Sequence, residues 1–325
     1  MRIAIIDDNS KYTYHFGIAL LNYMKKTKLG GVFFYLPKSP VFGKPSLCNG
    51  ILVSSKTVWS SFLYPFQITR KCLNDKIDIA HIQLEVNTFG HPITLILLPL
   101  LLVNLRIAKI ITVVTLHSIF PRSGSRYIPY KGIFKLLILL FVHLLYNLIG
   151  RLASSIIVHS SIFRDWLLQY GIDPNKINII PHGIVFTTPN NSQEEKNYWL
   201  KKFDGKKIIL SFGVLSPRKG LEYLIQAFEE VSKKYPETLL VLAGYEPTYF
   251  HGYKERLRAL SKSLGIENKV IFTGAVPEQK VGSLFSVADI IVFPYIFSIS
   301  ASGSLSIALQ HLKPIVATNT PYFKS

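Results

Sequence analysis

The sequence predicts an α/β fold of two doubly wound domains, each with a mainly parallel sheet covered by helices on both faces. Short apolar runs alternate with amphipathic segments along the whole chain. At 325 residues and 49% hydrophobic composition, the chain is long enough for about two domains with sizeable cores. A polar stretch at 186–205, containing TTPNNSQEEK, is typical of a linker and separates residues 1–185 from 206–325.

In the first domain, apolar runs that stop at Gly, Pro or polar residues predict strands, and runs with helical spacing predict helices. The predicted strands are Arg2–Asp7, Gly30–Leu36, Ile51–Ser54, Ile77–Gln83, Lys109–Leu116, Ser155–His159 and Ile177–Ile180. The predicted helices are Gly17–Lys26, Val58–Leu73, Ile93–Arg106, Ile133–Leu152 and Ile162–Tyr170.

Polar side chains collect where these strands end. His81 and Glu85 lie near the end of one strand, His117 follows the next, and His182 stands in the Pro-His-Gly turn after the last. In open parallel sheets this carboxyl edge is where ligands bind. A histidine at a strand end is also commonly a structural residue, so residue type alone leaves both interpretations open.

The clearest unit of the second domain is Lys206–Gly244, which reads as strand, basic loop, amphipathic helix and strand. Its predicted strands are Lys207–Phe212 and Thr238–Ala243. Its turn, Ser216–Gly220, is predicted to place Arg218, Lys219 and free backbone amides at a helix N-terminus, where a phosphate would bind. The alternative is a pair of solvated cations. The other predicted elements are helices Tyr253–Leu264, Gln279–Ala288 and Ser304–Leu312 and strands Lys269–Thr273, Ile290–Tyr295 and Pro314–Thr318.

A second candidate anion site is the small-residue segment before the last predicted helix. Ser302, Gly303 and Ser304 would leave backbone amides open to a phosphate. An ordinary serine N-cap explains the same residues equally well.

The net charge of +18 is concentrated in the first part of the chain, where residues 1–186 hold 20 Lys and Arg against 7 Asp and Glu. No acidic residue occurs between Glu85 and Asp165, and this interval holds the apolar runs Ile93–Val103 and Ile133–Ile149. Both runs are expected to fall short of the roughly 20 apolar residues of a spanning helix. Cations beside apolar helices favour attachment to an anionic membrane face; buried core helices are the alternative. Nucleic acid is not expected as a partner, because the cations lack a recognisable binding motif.

The expected location is the cytoplasm, peripheral to the inner face of a membrane. The two cysteines, Cys48 and Cys72, lie far apart without metal-ligand spacing, which favours a reducing compartment. The N-terminus MRIAIIDD begins directly as a strand and has no signal-peptide pattern.

Several segments, taken in their order and spacing, resemble the retaining glycosyltransferases of family 4. They are IIPHGI, VLSPRKGLEYLIQAF, LLVLAG, VIFTGAVPEQKVGSLFSVADIIVFPY and SGSLSIALQHLKPIVAT. The resemblance implies the GT-B fold, two Rossmann-like domains facing across a cleft. It also implies transfer of a sugar from a nucleotide-diphosphate donor, without metal or cofactor, to a hydroxyl of a glycan, lipid or polysaccharide precursor.

The resemblance also assigns residues. Lys219 matches the lysine that binds the donor diphosphate, and His117 matches a histidine near the transferred sugar and is the predicted catalytic residue. His81, Glu85 and His182 remain candidates on the acceptor side. The predicted diphosphate contacts are Arg218, Lys219, Ser302, Gly303 and Ser304, and the predicted nucleotide contacts are Gly213, Gly274 and Val276.

The sequence departs from the family pattern at three places. Two glutamates eight residues apart are expected where Ile299 and Ile307 stand, and no acid follows Asp289. The glycine-rich turn after the first strand is replaced by Asn9–Gly17, and the chain stops soon after Thr318, so the second domain is expected to be incomplete. A catalytically inactive protein of this fold, acting as a partner or regulatory subunit, is therefore the alternative function.

Overall fold

The computed structural model describes residues 1–7, 20, 24, 31–37, 46–48, 51–57, 62–85, 92–122, 131–183 and 193–325. The chain forms two compact units. The first is Met1–Pro181 with Ile299–Ala301 and Ser325, and the second is His182–Ser298 with Ser302–Lys324. The predicted helix Gly17–Lys26 is described only at Leu20 and Met24, which are both helical; its other residues and the Asn9–Gly17 turn lie outside the described ranges.

The first unit contains an eight-stranded sheet in the order β3-β4-β2-β1-β5-β6-β7-β8. Its pairs are parallel except β3–β4, which is antiparallel and contains a short strand that the sequence pattern did not predict. The other strands confirm the predicted elements with small changes at their ends. The strands are β1 (Arg2–Ile6), β2 (Gly31–Pro37), β3 (Ser46–Cys48), β4 (Ile51–Thr57), β5 (Ile79–Leu84), β6 (Ile111–Leu116), β7 (Ser155–Val158) and β8 (Ile177–Ile179).

Three helices of the first unit lie side by side, α1 on α3 and α3 on α4. They connect β4 to β5, β5 to β6 and β6 to β7, all in one direction across the sheet, so right-handed crossovers place them on one face. The helices of this unit are α1 (Tyr64–Asn74), α2 (Pro92–Leu95), α3 (Leu98–Ile107), α4 (Gly132–Leu152) and α5 (Ser161–Leu168).

Helix α4 corrects one expectation from the sequence. It runs for 21 residues with a mean hydropathy of 2.1, so by length and composition it is long and apolar enough to cross a membrane. The predicted apolar run, Ile133–Ile149, was too short because the helix continues through Gly150, Arg151 and Leu152. Only 22% of its apolar window is buried, and the buried residues, from Val142 to Gly150, lie in its second half.

The second unit contains a five-stranded parallel sheet in the order β11-β10-β9-β12-β13. Successive residues of β10 enter two different hydrophobic clusters: Leu239 and Val241 join one, and Leu240 and Leu242 the other. Helices therefore cover both faces, as predicted. The strands are β9 (Lys207–Phe212), β10 (Thr238–Ala243), β11 (Val270–Gly274), β12 (Ile290–Phe293) and β13 (Ile315–Ala317). The helices are α6 (Gln193–Lys202), α7 (Leu221–Lys234), α8 (Tyr253–Ser263), α9 (Glu278–Val287), α10 (Gly303–Gln310) and α11 (Pro321–Lys324).

Helix α6 lies inside the segment 186–205 that the sequence predicts as a linker. Trp199 is buried and stacks on Phe203 with ring centroids 5.5 Å apart, and its indole nitrogen donates to the Ser283 hydroxyl at 3.2 Å. These two aromatic side chains belong to a hydrophobic cluster of the second unit and attach the otherwise polar helix to it. This part of the segment therefore belongs to the second unit, and residues 186–192 lie outside the described ranges.

Candidate functional site

The order of the second sheet marks the place where a ligand is expected. The chain builds β10 and β11 on one side of β9 and then returns to build β12 and β13 on the other. In sheets of this kind ligands bind outside the carboxyl ends of the two strands at which the order reverses. Gly213 follows β9, Tyr295 comes shortly after β12, and Lys219 lies against both.

Lys219 is a buried cation. Its side chain belongs to a residue that is 5% exposed, and Nζ donates to the Phe212 carbonyl at 3.3 Å and lies 4.8 Å from the Tyr295 ring centroid. Among the residues that the structure describes, no carboxylate lies within ion-pair distance of Nζ. A buried charge is costly unless it is paired, so this position favours an anionic ligand.

Tyr295 responds to this charge. Burial alone would raise the pKa of its hydroxyl, but the charge of Lys219 and hydrogen bonds to Lys219 and Ser302 outweigh burial and lower that pKa. The tyrosine thus shares the electrostatic environment of Lys219. Sequence reasoning did not assign it, although its position after a predicted strand was a usable signal.

Gly213 makes room for the lysine. Its φ of +125° belongs to the region that side-chain-bearing residues rarely adopt, and a Cβ there would overlap Lys219 Nζ and lie 3.1 Å from Ser304 Oγ. The Gly213 backbone therefore has Lys219 on one side and the start of α10 on the other. Gly213, Lys219 and Ser304, which the sequence assigns to separate contacts, therefore lie together.

The start of α10 combines the two interpretations left open by the sequence. Ser302 is an N-cap: its Oγ accepts from Leu305 N at 3.2 Å, and its own amide donates to Tyr322 Oη at 3.0 Å. Gly303 and Ser304 are the first residues of the helix, whose amides the helix itself leaves without partners. They remain the candidates for contact with an anion.

The Ser216–Gly220 turn differs from its prediction. Residues Pro217–Lys219 form a 3₁₀ turn in which Lys219 N donates to Ser216 O and Gly220 N to Pro217 O, both at 3.0 Å, so these amides are not free. Arg218 is exposed, with its guanidinium 6.0 Å from the Tyr295 ring centroid. The fully buried positive charge of the turn therefore comes from Lys219.

Of the predicted nucleotide contacts, Gly274 ends β11 and Val276 follows it, two strands from β9 on the same edge. Gly274 has a φ of +72°, and a Cβ added there would meet no atom within 4 Å, so the space beside its backbone is open. Val276 packs on the core as a partly buried residue. Their assignment stays a prediction.

In the first unit, hydrogen-bonded polar side chains cross the carboxyl ends of β5, β6 and β7. The network includes two predicted site residues, His81 and His117. The separations are 3.0 Å from Ile180 O to His159 Nδ1, 3.1 Å from His159 Nε2 to His117 Nδ1, 2.9 Å from His117 Nε2 to Gln83 Oε1, 3.1 Å from Gln83 Nε2 to His81 Nε2, and 2.7 Å from His81 Nε2 to Thr115 Oγ1.

Proton counting limits how this network can be arranged. His159 donates from Nδ1 to a carbonyl, so in a neutral ring its Nε2 accepts from His117 Nδ1. A neutral His117 then needs a donor at Nε2, which the Gln83 amide supplies if its oxygen and nitrogen are exchanged. If the Gln83 oxygen faces His117 Nε2 instead, that nitrogen must carry a proton. The pair of histidines then holds one proton more than two neutral rings do. In either arrangement both ring nitrogens of His117 have protein partners.

The remaining acceptor-side candidates lie in different units. Glu85 is buried in the first unit and accepts from Ser118 Oγ at 2.5 Å. Burial lowers the pKa of His81 to about 4, which keeps this imidazole neutral near pH 7. His182 groups with the second unit, 3.2 Å from Ser306 Oγ of α10, and burial also lowers its pKa.

The family model described as Glycosyltransferase Family 4 matches residues 48–187, and the model described as Glycosyl transferases group 1 matches residues 192–325. The chain belongs to glycosyltransferase family 4. One curated relative is the alpha-monoglucosyldiacylglycerol synthase of Streptococcus pneumoniae. It is 31% identical over 184 residues, which cover 53% of this chain and 39% of the relative. The mannosylfructose-phosphate synthase of Agrobacterium fabrum is 30% identical over 156 residues, 45% of this chain and 33% of the relative. The matched segments thus span about two fifths of the first relative and one third of the second.

Solved structures show the same fold for this family 4 chain. Anabaena Alr3699/HepE in complex with UDP-glucose superposes with a TM-score of 0.71 at 18% identity, covering 98% of this chain and 81% of that one. A glycosyltransferase from Rickettsia africae gives a TM-score of 0.69 at 19% identity, covering 98% and 79%. The fold is therefore GT-B. Of the two positions where the resemblance implied glutamates, Ile307 packs on the core of the second unit and Ile299 groups with the first.

Proposed function

We propose that the protein transfers a sugar from a nucleotide-diphosphate donor to an acceptor hydroxyl, with retention of anomeric configuration and without a metal. The observation that carries the proposal is the buried charge of Lys219, which has no carboxylate partner among the described residues and lies where the strand order reverses. A diphosphate supplies the charge that this position requires. Family membership supports the same reaction class.

In the proposed reaction, the bond between the anomeric carbon and the diphosphate oxygen breaks, and negative charge develops on the leaving group. In this proposal Lys219 and the first amides of α10, which lie on either side of Gly213, stabilise that charge. The acceptor oxygen forms the new bond to the anomeric carbon on the same face. Its proton passes to the departing diphosphate oxygen, which needs no protein carboxylate; no acid follows Asp289 in the sequence.

The comparisons support this donor class and suggest several acceptors. HepE was solved with UDP-glucose, and one relative is named as a GDP-mannose-dependent phosphatidylinositol monomannoside mannosyltransferase. The names of the relatives cover both lipid and sugar-phosphate acceptors. We therefore propose that the acceptor group is a hydroxyl of a glycan, lipid or polysaccharide precursor.

We also propose that the enzyme works in the cytoplasm, at an anionic membrane surface. Lys131 immediately precedes α4 and Lys135 lies in its exposed first turn, and the interval between Glu85 and Asp165 contains no acid that would offset them. Each cation near such a surface contributes about 1 kcal/mol of attraction. This attraction falls as salt rises.

Calorimetric titration with UDP-, GDP- and ADP-sugars tests the donor claim. We expect one nucleotide class to bind, Lys219→Ala to weaken its binding strongly, and Lys233→Ala, an exposed lysine of the same unit paired with Glu229, to leave it unchanged. Absence of binding to every donor would reject the enzyme function. Binding without release of nucleoside diphosphate in the presence of membrane lipids and glycans would instead support the inactive-partner alternative.

A further inference from the structure

Helix α4 extends beyond the sheet on which it packs. Tyr146, near the end of the helix, lies level with the end of β6: its hydroxyl accepts from Phe120 N at 3.2 Å and donates to Ser118 O at 3.4 Å. The part of α4 before its first buried residue, Val142, runs from Gly132 to Phe141 and is roughly 15 Å long, since a helix rises about 1.5 Å per residue. That part therefore projects past the carboxyl edge of the sheet.

The projecting part is apolar on all sides. From Lys131 to Phe141 no residue is buried, and the only charged residue within the helical part is Lys135. A helix that docks on a protein usually has one apolar stripe, whereas this segment has no polar face. Its large side chains that are more than half exposed are Ile133, Phe134, Leu136, Leu137 and Leu140.

The neighbouring helices add apolar side chains at the same edge. In a parallel sheet each crossover helix starts beside the carboxyl ends of the strands, so α1, α3 and α4 all begin there. Phe62, Leu63 and Phe66 at the start of α1 are each more than half exposed, and so is Ile96 immediately before α3. We call these residues, together with the projecting part of α4, the apolar rim.

The distribution of charge identifies the occupant of this rim. Lys131 immediately precedes the projecting part and Lys135 lies in its first turn, where lipid phosphates would meet them. Arg106, Lys109 and Arg151 instead surround a cavity of about 320 Å³ at the opposite, amino edge, where two of them end helices and offset the helix dipoles. An exposed apolar segment with cations at its start fits a bilayer interface, in which such helices lie roughly 5–10 Å deep and lysine side chains reach back to the headgroups.

We propose that the apolar rim inserts into one leaflet of an anionic membrane, so that the carboxyl edge of the first sheet faces the lipid and the acceptor is a membrane lipid with its hydroxyl at headgroup level. The second part rests on the proposed function, because His81, Glu85 and His117 lie at this same edge. A water-soluble acceptor would gain nothing from an edge held against the bilayer.

Flotation of the full chain with phosphatidylcholine vesicles, with and without phosphatidylglycerol, tests the insertion. The variant is Phe134→Gln with Leu137→Gln, and the matched control is Ile107→Gln, which changes a residue of the same unit that is 75% exposed but ends α3 at the amino edge. We expect the double variant to lose at least tenfold in vesicle partitioning and the control to equal the wild type. Circular dichroism confirms that each variant is folded.

Depth is measured with Phe134→Trp and Ile107→Trp in vesicles of brominated lipid. We expect added quenching for Phe134→Trp over the native tryptophans and none for Ile107→Trp. Equal quenching at both positions, or absence of flotation in the wild type, would overturn the insertion. Loss of a dimer in sedimentation of the double variant, with unchanged flotation, would overturn it too and show that a second copy covers the rim.

The acceptor claim has a separate measurement. Labelled donor sugar should appear in the organic extract when wild-type protein is given lipid vesicles, and the double variant should lose most of that product while binding the donor normally in solution. Label found only on water-soluble glycans would contradict the lipid acceptor. Failure of donor binding in the wild type would reject the proposed function itself and leave the flotation result standing.

Discussion

Replacing Lys219 by methionine tests whether this lysine binds a ligand or stabilises the fold. Methionine keeps most of the apolar volume of the side chain and removes its charge. In the free protein the ammonium has the Phe212 carbonyl at 3.3 Å and the Tyr295 ring at 4.8 Å, but no carboxylate among the described residues. The substitution removes a desolvated charge together with its hydrogen bonds to the Phe212 carbonyl and the Tyr295 hydroxyl. Because the desolvation cost offsets those bonds, we expect the free energy of unfolding to change by less than about 1 kcal/mol.

The effect on donor binding should be much larger. A unit charge about 4 Å from a phosphate contributes about 4 kcal/mol at an effective dielectric constant near 20. A charged hydrogen bond contributes about 1.5–3 kcal/mol after desolvation is included. We take about 2–3 kcal/mol for the net loss, which corresponds to a roughly 30- to 150-fold weaker affinity.

Two assays on the same preparation decide this prediction. Denaturant unfolding gives the stability of the variant without ligand, and calorimetry gives its affinity for the preferred nucleotide sugar. The reasoning would be refuted by a loss of more than about 2 kcal/mol of stability with unchanged affinity, because that combination describes a lysine that serves the fold.

Three further predictions concern other parts of the chain. Gly213→Ala should weaken donor binding at least tenfold and lower unfolding stability by about 1–3 kcal/mol, because φ is +125° and the new methyl group meets Lys219; calorimetry and denaturant unfolding measure both effects. Trp199→Ala should cost about 3–5 kcal/mol in unfolding free energy, while Tyr198→Ala, exposed beside it, should cost less than about 1 kcal/mol; equal effects would mean that α6 is not anchored as described. The native pKa of His81 is about 4, so between about pH 6.5 and 4 the unfolded chain binds the extra proton and stability falls by up to about 3 kcal/mol as pH drops. His81→Gln should remove this part of the fall in a pH series of unfolding curves, and an unchanged slope would contradict it.

Much of the strand pattern could be predicted because buried parallel strands are continuous apolar runs. The bounds Lys207–Phe212 and Thr238–Ala243 agree with the structure at both ends. Helix α6 was missed because its sequence, QEEKNYWLKK, is mostly polar. Its acids in the first turn and lysines in the last turn match the helix dipole, a signal that could have identified it.

The proximity of the site residues was less predictable, because it depends on strand order. Lys219 follows β9 and Tyr295 follows β12, and only the reversal of order between those strands makes them neighbours. The same holds for His159 and His117, which end adjacent strands but are 42 residues apart. Backbone amides of the Ser216–Gly220 turn were expected to be free, and sequence gives no indication that a 3₁₀ turn uses two of them.

Exposure of α4 could not be read from composition either. An apolar helix whose buried residues all lie between Val142 and Gly150 has the same sequence signature as one buried throughout. The difference arises because the helix is longer than the sheet beneath it. The length of the helix relative to the neighbouring strands therefore indicates how much of the helix is exposed.

The most direct test of the central claim is a titration of wild-type protein and Lys219→Met with the nucleoside diphosphate and monophosphate of the preferred nucleotide. If the outer phosphate of the donor lies against Lys219, the wild type should bind the diphosphate at least tenfold more tightly than the monophosphate, and the variant should bind the two almost equally. The same preference for the diphosphate in both proteins would contradict this placement of the donor.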